Sequence, residues 1–167
     1  MTHSGEPANR RVFELVSLPS APSVPQELAN RLRRPGVPRD FLGGTRYRVL
    51  PQAIRREPPH DTIVAFGLGG QQKQFGVEID TGAVVWEPTD VSPALFPVNA
   101  TIDQFSECVR VVEAILAEPN DDFDLDDFER IASDVRHAID AIDDAVFTGE
   151  HGGFWFEFYF DVQMGSY

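Results

Sequence analysis

One long amphipathic pattern constrains this chain more than any other feature. Apolar residues recur at alternating spacings of three and four from Leu125 to Val146, which is the period of one helix face. Such a stripe must be covered, either by a second copy in a coiled coil or by a sheet of the same domain. We favour the sheet, because the strands predicted upstream need a helix to cover them. The opposite face is charged and carries Asp127, Glu129, Arg130, Asp134, Asp140 and Asp144.

The middle of the chain has the composition of β-strands. Four short runs rich in β-branched and aromatic residues predict strands at 47–50, 62–66, 75–79 and 83–86. Asp80-Thr81-Gly82 predicts a tight turn between the last two. A further run at 95–98 predicts an edge strand, because it contains a proline. The pattern therefore predicts an antiparallel meander of four or five strands.

Capping patterns predict two more helices. Ser23 and Gln26 have capping-box spacing at the start of one helix, and Pro35 follows its last arginines. Thr101 and Gln104 repeat that spacing before a helix over 102–116.

The aromatic run from Phe154 to Phe160 fits two structures. As a strand it would place alternate phenylalanines on one face, and as a helix it would bury a different set. The pattern leaves both open, although most of this aromatic area is expected to be core. The set buried by a helix is Phe154, Trp155, Phe158 and Val162.

Charge is spread very unevenly along the 167 residues. The net charge is −13, from 14 basic and 27 acidic residues. Residues 1–56 contribute +6, from 10 arginines and 4 acids, whereas residues 57–167 contribute −19, from 4 basic residues and 23 acids. Such a balance disfavours nucleic-acid binding and favours a basic protein partner. The early arginines are predicted to pair with the acidic half of the chain rather than to contact phosphates.

Motifs for catalysis or cofactor binding are missing or incomplete. Acids at alternate positions from Asp122 begin like a calcium loop, but Asp127 stands where glycine is needed and Ser133 where a bidentate glutamate is needed. His137 shares a helix surface with several aspartates but has no zinc-site spacing. Cys108 has no nucleophile context and is predicted to be a core side chain. We predict no catalytic residue, no metal and no cofactor.

The sequence pattern also gives no sign of a membrane helix or a signal peptide. No apolar run approaches the roughly 20 residues of a membrane helix, and the first residues do not have a signal-peptide layout. We expect a cytoplasmic protein with no membrane partner.

The order of several short motifs resembles one known family. Residues 35–42 (PGVPRDFL) follow the first helix, residues 78–86 (EIDTGAVVW) end a strand pair, and residues 98–108 (VNATIDQFSEC) open the next helix. Phe154-Trp155 and the closing residues 164–167 add to the likeness. Together they resemble the SUKH superfamily, most closely its fourth subgroup of bacterial immunity proteins.

The resemblance implies a fold and a function. The implied fold is α+β, with an antiparallel four- to six-stranded sheet packed against helices and with residues 154–164 helical. We expect an N-terminal arm over 1–22 and a single domain over 23–167. The implied function is a non-catalytic immunity protein that neutralises a polymorphic toxin, commonly a nuclease or a nucleic-acid deaminase. The alternative is an interaction or regulatory module of the same fold.

The acids near the long helix form the predicted partner-binding surface. On this hypothesis they occupy the basic groove of the toxin and exclude nucleic acid, which is not itself a partner. The protein is predicted to be a monomer or a weak homodimer. The candidate residues are Asp121, Asp122, Asp126, Asp127, Glu129, Asp134, Asp140 and Asp144.

Overall fold

The computed structural model describes residues 12–70, 73–87, 94–117, 122–148 and 153–167. Within these residues the chain forms a curled six-stranded sheet, a second sheet of two very short strands and four α-helices. The α+β class predicted above is confirmed. No helix in these ranges is long and apolar enough to cross a membrane.

The six-stranded sheet is an antiparallel meander in chain order. Every strand predicted from composition is present, and Pro97 lies in the edge strand as expected. The small sheet pairs β1 (Leu15–Val16) with β2 (Val37–Pro38). The large sheet contains β3 (Asp40–Phe41), β4 (Tyr47–Arg55), β5 (Ile63–Gly69), β6 (Gln74–Glu78), β7 (Val84–Glu87) and β8 (Phe96–Asn99).

The helices are α1 (Gln26–Arg33), α2 (Ile102–Ile115), α3 (Leu125–Ile142) and α4 (Phe154–Gln163). The predicted cap of α2 is confirmed, because the Thr101 side chain accepts the amide hydrogen of Gln104 at 3.2 Å. The predicted cap of α1 is wrong: the N-cap is Pro25, which has no side-chain oxygen, and Ser23 lies in the preceding turn.

Helix α3 is shorter than its apolar pattern predicts. The helix ends at Ile142, and Asp143 adopts an extended backbone conformation. The buried Asp143 carboxylate accepts hydrogen bonds from the Ala100 amide at 2.9 Å and from the Asn99 side chain at 3.1 Å. Val146 therefore reaches the core from the turn that follows α3.

The apolar stripe of α3 is covered within the domain, but mainly by helices. Ile131, Val135 and Ile139 are buried, and α3 packs chiefly against α2 and α4. The expectation that this stripe lies on the sheet is wrong. Helices α2 and α4 pack on the sheet, where Phe105 of α2 and Phe154 of α4 both contact Phe75 of β6, so α3 forms an outer layer over them.

An aromatic cluster fills the space between the sheet and α2. The Tyr47 ring lies 5.2 Å from Phe105, 5.3 Å from Phe75 and 5.9 Å from Phe66, measured between centroids. Gly67 is necessary here, because a Cβ at that position would lie 2.1 Å from Tyr47 Cε2.

The aromatic run near the C-terminus is helix α4. It buries the four residues that the helical alternative names, with Trp155 only 1% exposed. The helical form that the family resemblance implies is therefore confirmed.

The described part of the predicted arm contacts the rest of the chain. Residues 15–16 pair with β2, and Leu18 is buried and donates its amide hydrogen to the carbonyl of Leu32 at 3.0 Å. The domain boundary at residue 22 stays a prediction, and residues 1–11 lie outside the described residues.

Candidate functional site

The outward surface of α3 and its flanks is strongly acidic. Residues 122–148 contain nine acidic and two basic side chains, giving a net charge of −7. The apolar stripe is turned toward α2 and α4, so these charges face away from the core, except for that of Asp143, which is buried.

The first turn of α3 is a capping box built from aspartates. The Asp124 carboxylate accepts the amide hydrogen of Asp127 at 3.0 Å, and Asp127 accepts that of Asp124 at 3.3 Å. Acids at a helix N-terminus also interact favourably with the helix dipole. Asp127, one of the predicted partner-binding residues, is thus engaged in starting the helix.

Two of the ion pairs along the exposed side of α3 join residues four positions apart. Arg130 and Asp134 are 3.8 Å apart, as are Arg136 and Asp140. All four side chains are between 39% and 57% exposed. Pairs of this kind stabilise a helix by only about 0.3–0.5 kcal/mol each. A cation from a partner protein can therefore replace either arginine at little cost.

Four of the predicted residues have no ion-pair partner in the part of the chain that the structure describes. They are all exposed, with two on α3, one before it and one after it. Asp144 follows α3 rather than belonging to it, because the helix ends early. The four are Asp122, Asp126, Glu129 and Asp144, whereas Asp121 lies outside the described residues.

The N-terminal arginines pair with acids elsewhere. Arg31 lies 2.5 Å from Asp103, and Arg46 lies 2.6 Å from Asp161. Pairing between the basic and acidic halves of the chain is therefore confirmed for these two arginines. Among the described residues, the acids of α3 pair only with arginines of the same helix. The negative charge of α3 thus remains available to a partner.

Sequence reasoning missed a second surface, which we call the aromatic patch: Phe147, Phe156, Tyr159 and Phe160. Its rings form a continuous chain of contacts, at 6.2 Å between Phe147 and Tyr159, 5.5 Å between Tyr159 and Phe160, and 4.9 Å between Phe156 and Phe160. The helical alternative for the aromatic run did indicate this surface. That alternative buries Phe154, Trp155 and Phe158, and it leaves the α4 residues of the patch out of the buried set.

The cleft beside α4 contains cations that are already engaged. It has a volume of about 160 Å³ and is lined by Arg46, Lys73, Trp86 and Glu157, among others. The Lys73 ammonium lies 4.2 Å from the centroid of the Trp86 ring and 3.6 Å from the Glu157 carboxylate. Since Arg46 is paired as well, the described lining of this cleft offers no unpaired cation to an anionic ligand.

The structure also places the residues that the sequence suggested for metal binding and for nucleophilic chemistry. In the described ranges, no three His, Cys, Asp or Glu side chains are grouped closely enough to hold a metal ion. His137 Nδ1 lies 3.5 Å from Ser133 Oγ on the helix surface. Cys108 is fully buried, as predicted, and burial raises the pKa of its thiol to about 12. The thiol is therefore neutral at physiological pH.

One of three comparisons with known proteins finds a match. Searches of curated proteins and of solved structures find no match. The protein family described as SUKH-4 immunity protein matches residues 6–161, which is nearly the whole chain. The chain therefore belongs to the SUKH-4 immunity protein family.

Proposed function

We propose that this protein neutralises a nuclease or nucleic-acid deaminase toxin by placing the acidic surface of α3 in the toxin's substrate groove. Membership of the family gives the chain an immunity role and implies a cognate toxin as its partner. The observation that carries the proposal is the set of exposed acids on and beside α3 that lack an ion-pair partner among the described residues.

The physical argument rests on what a nucleic-acid enzyme must present. Its substrate groove carries Lys and Arg side chains that contact phosphates. An acidic surface is attracted to that groove from a distance, and this attraction speeds association. Once bound, the helix occupies the space that the substrate needs, so inhibition requires no chemistry by the immunity protein.

The test uses the toxin domain encoded beside this gene as the binding probe. We expect the association rate constant to fall at least about tenfold between about 50 mM and about 500 mM salt, because exposed charges are screened. The same complex should lose nuclease or deaminase activity. An association rate and affinity that do not change with salt would contradict the mechanism, as would a toxin that does not act on nucleic acid.

A matched pair of variants separates the α3 surface from net charge. We expect Glu129→Gln to slow association several-fold, because Glu129 is an exposed charge on α3. Glu57→Gln removes the same charge at an exposed position far from α3 in the sequence and should leave association nearly unchanged. Equal effects of the two substitutions would show that the electrostatic attraction comes from the net charge of the whole protein and not from α3.

A further inference from the structure

Helix α4 carries more aromatic surface than the core buries. Phe154, Trp155 and Phe158 are buried, whereas Phe156 and Tyr159 are half-buried, and Tyr159 packs at the margin of the core. Phe160 is 48% exposed, and Met164, one turn later, is 71% exposed. An apolar helix face is normally buried. The surface formed by Phe160 and Met164 is therefore uncovered in the described chain.

Helical spacing aligns three outward apolar residues, of which Phe156 is half-buried and Phe160 and Met164 are exposed. Phe156, Phe160 and Met164 follow one another at intervals of four, so they form one row along α4. The Phe156–Phe160 ring contact shows that neighbours in this row touch. Tyr159 and Phe147 extend the row sideways toward α3, which gives the aromatic patch its width.

Acidic side chains border the aromatic patch on the α3 side. The Arg136 guanidinium lies 5.1 Å from the Phe147 ring centroid and 5.7 Å from that of Tyr159, so this side of α3 faces the patch. Glu129 precedes Arg136 by seven residues and Asp140 follows it by four. These spacings place both acids on the same side of the helix as Arg136.

The opposite border of the patch carries two acids that are paired with cations. Glu157 and Asp161 each follow a residue of the row by one position on α4. Both are solvent-accessible, at 55% and 40%, and they pair with Lys73 and Arg46, which lie just before β6 and β4. The aromatic centre thus lies between the acidic side of α3 and a border of paired charges.

We propose that the aromatic patch is the centre of the toxin-binding surface, and that the toxin meets it with apolar side chains surrounded by Arg and Lys. This inference rests on the proposed function and adds which residues contribute most of the binding energy. Aromatic side chains in the middle of an interface contribute most of the binding energy, whereas charges at the margin set the association rate and the choice of partner. The Arg136 guanidinium already lies against Phe147 and Tyr159, so rings of this patch accept a cation, and the exposed Phe160 ring offers the same kind of contact to an arginine of the toxin.

Charge decides between a basic partner and a second copy of this chain. A symmetric dimer brings the same surface of both subunits together. The acidic side of α3 would then approach a second copy of the same protein, whose net charge is also −13. Like charges across an interface are unfavourable, so the patch fits a partner of opposite charge.

The first test compares two substitutions of equal exposure. Phe160→Ala removes the centre of the patch, and Ile54→Ala removes an apolar side chain of β4 that is 50% exposed. Against the toxin domain encoded beside this gene, we expect Phe160→Ala to raise the dissociation rate constant at least about 30-fold. Ile54→Ala should change it less than about twofold. A Phe160→Ala protein that melts like the unsubstituted protein yet binds equally well overturns the proposal.

The second test needs no substitution. Hydrogen exchange of the unsubstituted protein, free and in the complex, should show slowed amide exchange in 145–148 and 154–163. If the complex forms but amide exchange slows only outside these two segments, the proposal for the aromatic patch is overturned. The proposed function is then unaffected. Failure of the unsubstituted protein to bind the toxin overturns both. A dimer mass in solution that becomes a monomer mass with Phe160→Ala assigns the patch to self-association, which also overturns the proposal.

Discussion

Trp155 Nε1 donates a 2.9 Å hydrogen bond to Asn99 Oδ1 and so joins helix α4 to the edge strand β8. Asn99 also donates to the Asp143 carboxylate, which accepts the Ala100 amide hydrogen as well. The side chains of Trp155, Asn99 and Asp143 are all at most 5% exposed. One buried polar network therefore fixes the end of α3, the start of α4 and the end of β8.

Asn99→Ala should destabilise the fold by about 3 kcal/mol, because it leaves the Trp155 indole without a partner and leaves the buried Asp143 carboxylate with only the Ala100 amide. Urea unfolding measures the change. Asn30→Ala is the control, since Asn30 is exposed and accepts only the Gln26 side chain; it should cost less than about 0.5 kcal/mol. Similar losses in both variants would show that the network contributes no more than a surface contact.

Gly67→Ala should destabilise by about 2–3 kcal/mol, because the added Cβ displaces the buried Tyr47 ring from its aromatic cluster. Gly82→Ala is the comparison, since a Cβ there meets no atom within 4 Å and only the positive φ of 76° opposes it. That strain amounts to about 1 kcal/mol. Equal unfolding free energies for the two variants would contradict the steric argument.

Asp124→Ala should cost about 1 kcal/mol, because the N-cap of α3 loses the acceptor for the Asp127 amide hydrogen. Asp126→Ala removes an acid from the same turn that caps nothing, so it should cost no more than a few tenths of a kcal/mol. The two are compared by thermal unfolding. A larger loss for Asp126→Ala would indicate that charge, rather than capping, starts the helix.

Stability should fall as the pH rises above 9. Burial raises the pKa of Cys108 from 9.0 to about 12 and raises that of Tyr47 well above 10.0. Each group stabilises the fold fully below its unfolded pKa, and this contribution is lost at higher pH because only the unfolded chain gives up the proton. Urea unfolding at pH 8 and pH 10 measures the loss, and Cys108→Ala should reduce it. A free energy of unfolding that rises over this interval would contradict the assignment.

Much of the architecture could be predicted from local pattern. The strands of the meander have β-branched and aromatic composition, and Thr101 caps α2 through a hydrogen bond three residues away. These features depend on neighbours in the sequence. The alternation of charge and apolar residues likewise predicted which side of α3 faces away from the core.

The end of α3 could not be predicted in this way. Its apolar spacing continues to Val146, but the helix stops where Asp143 reaches Asn99 and Ala100, more than 40 positions earlier in the chain. The layer that covers α3 also depends on where α2 and α4 pack. The aromatic patch could not be predicted for the same reason. Phe147 contacts Tyr159 only when α3 and α4 pack together.

The position of α3 in an outer layer has a consequence for how such proteins diversify. Because this helix packs on other helices rather than on the sheet, its outward side chains are separated from the aromatic core by an entire layer. On the proposed function, a lineage that meets an altered toxin can exchange those side chains one by one while the meander and its interior stay the same. The charged contacts of α3 and the stability of the fold would then evolve at different speeds.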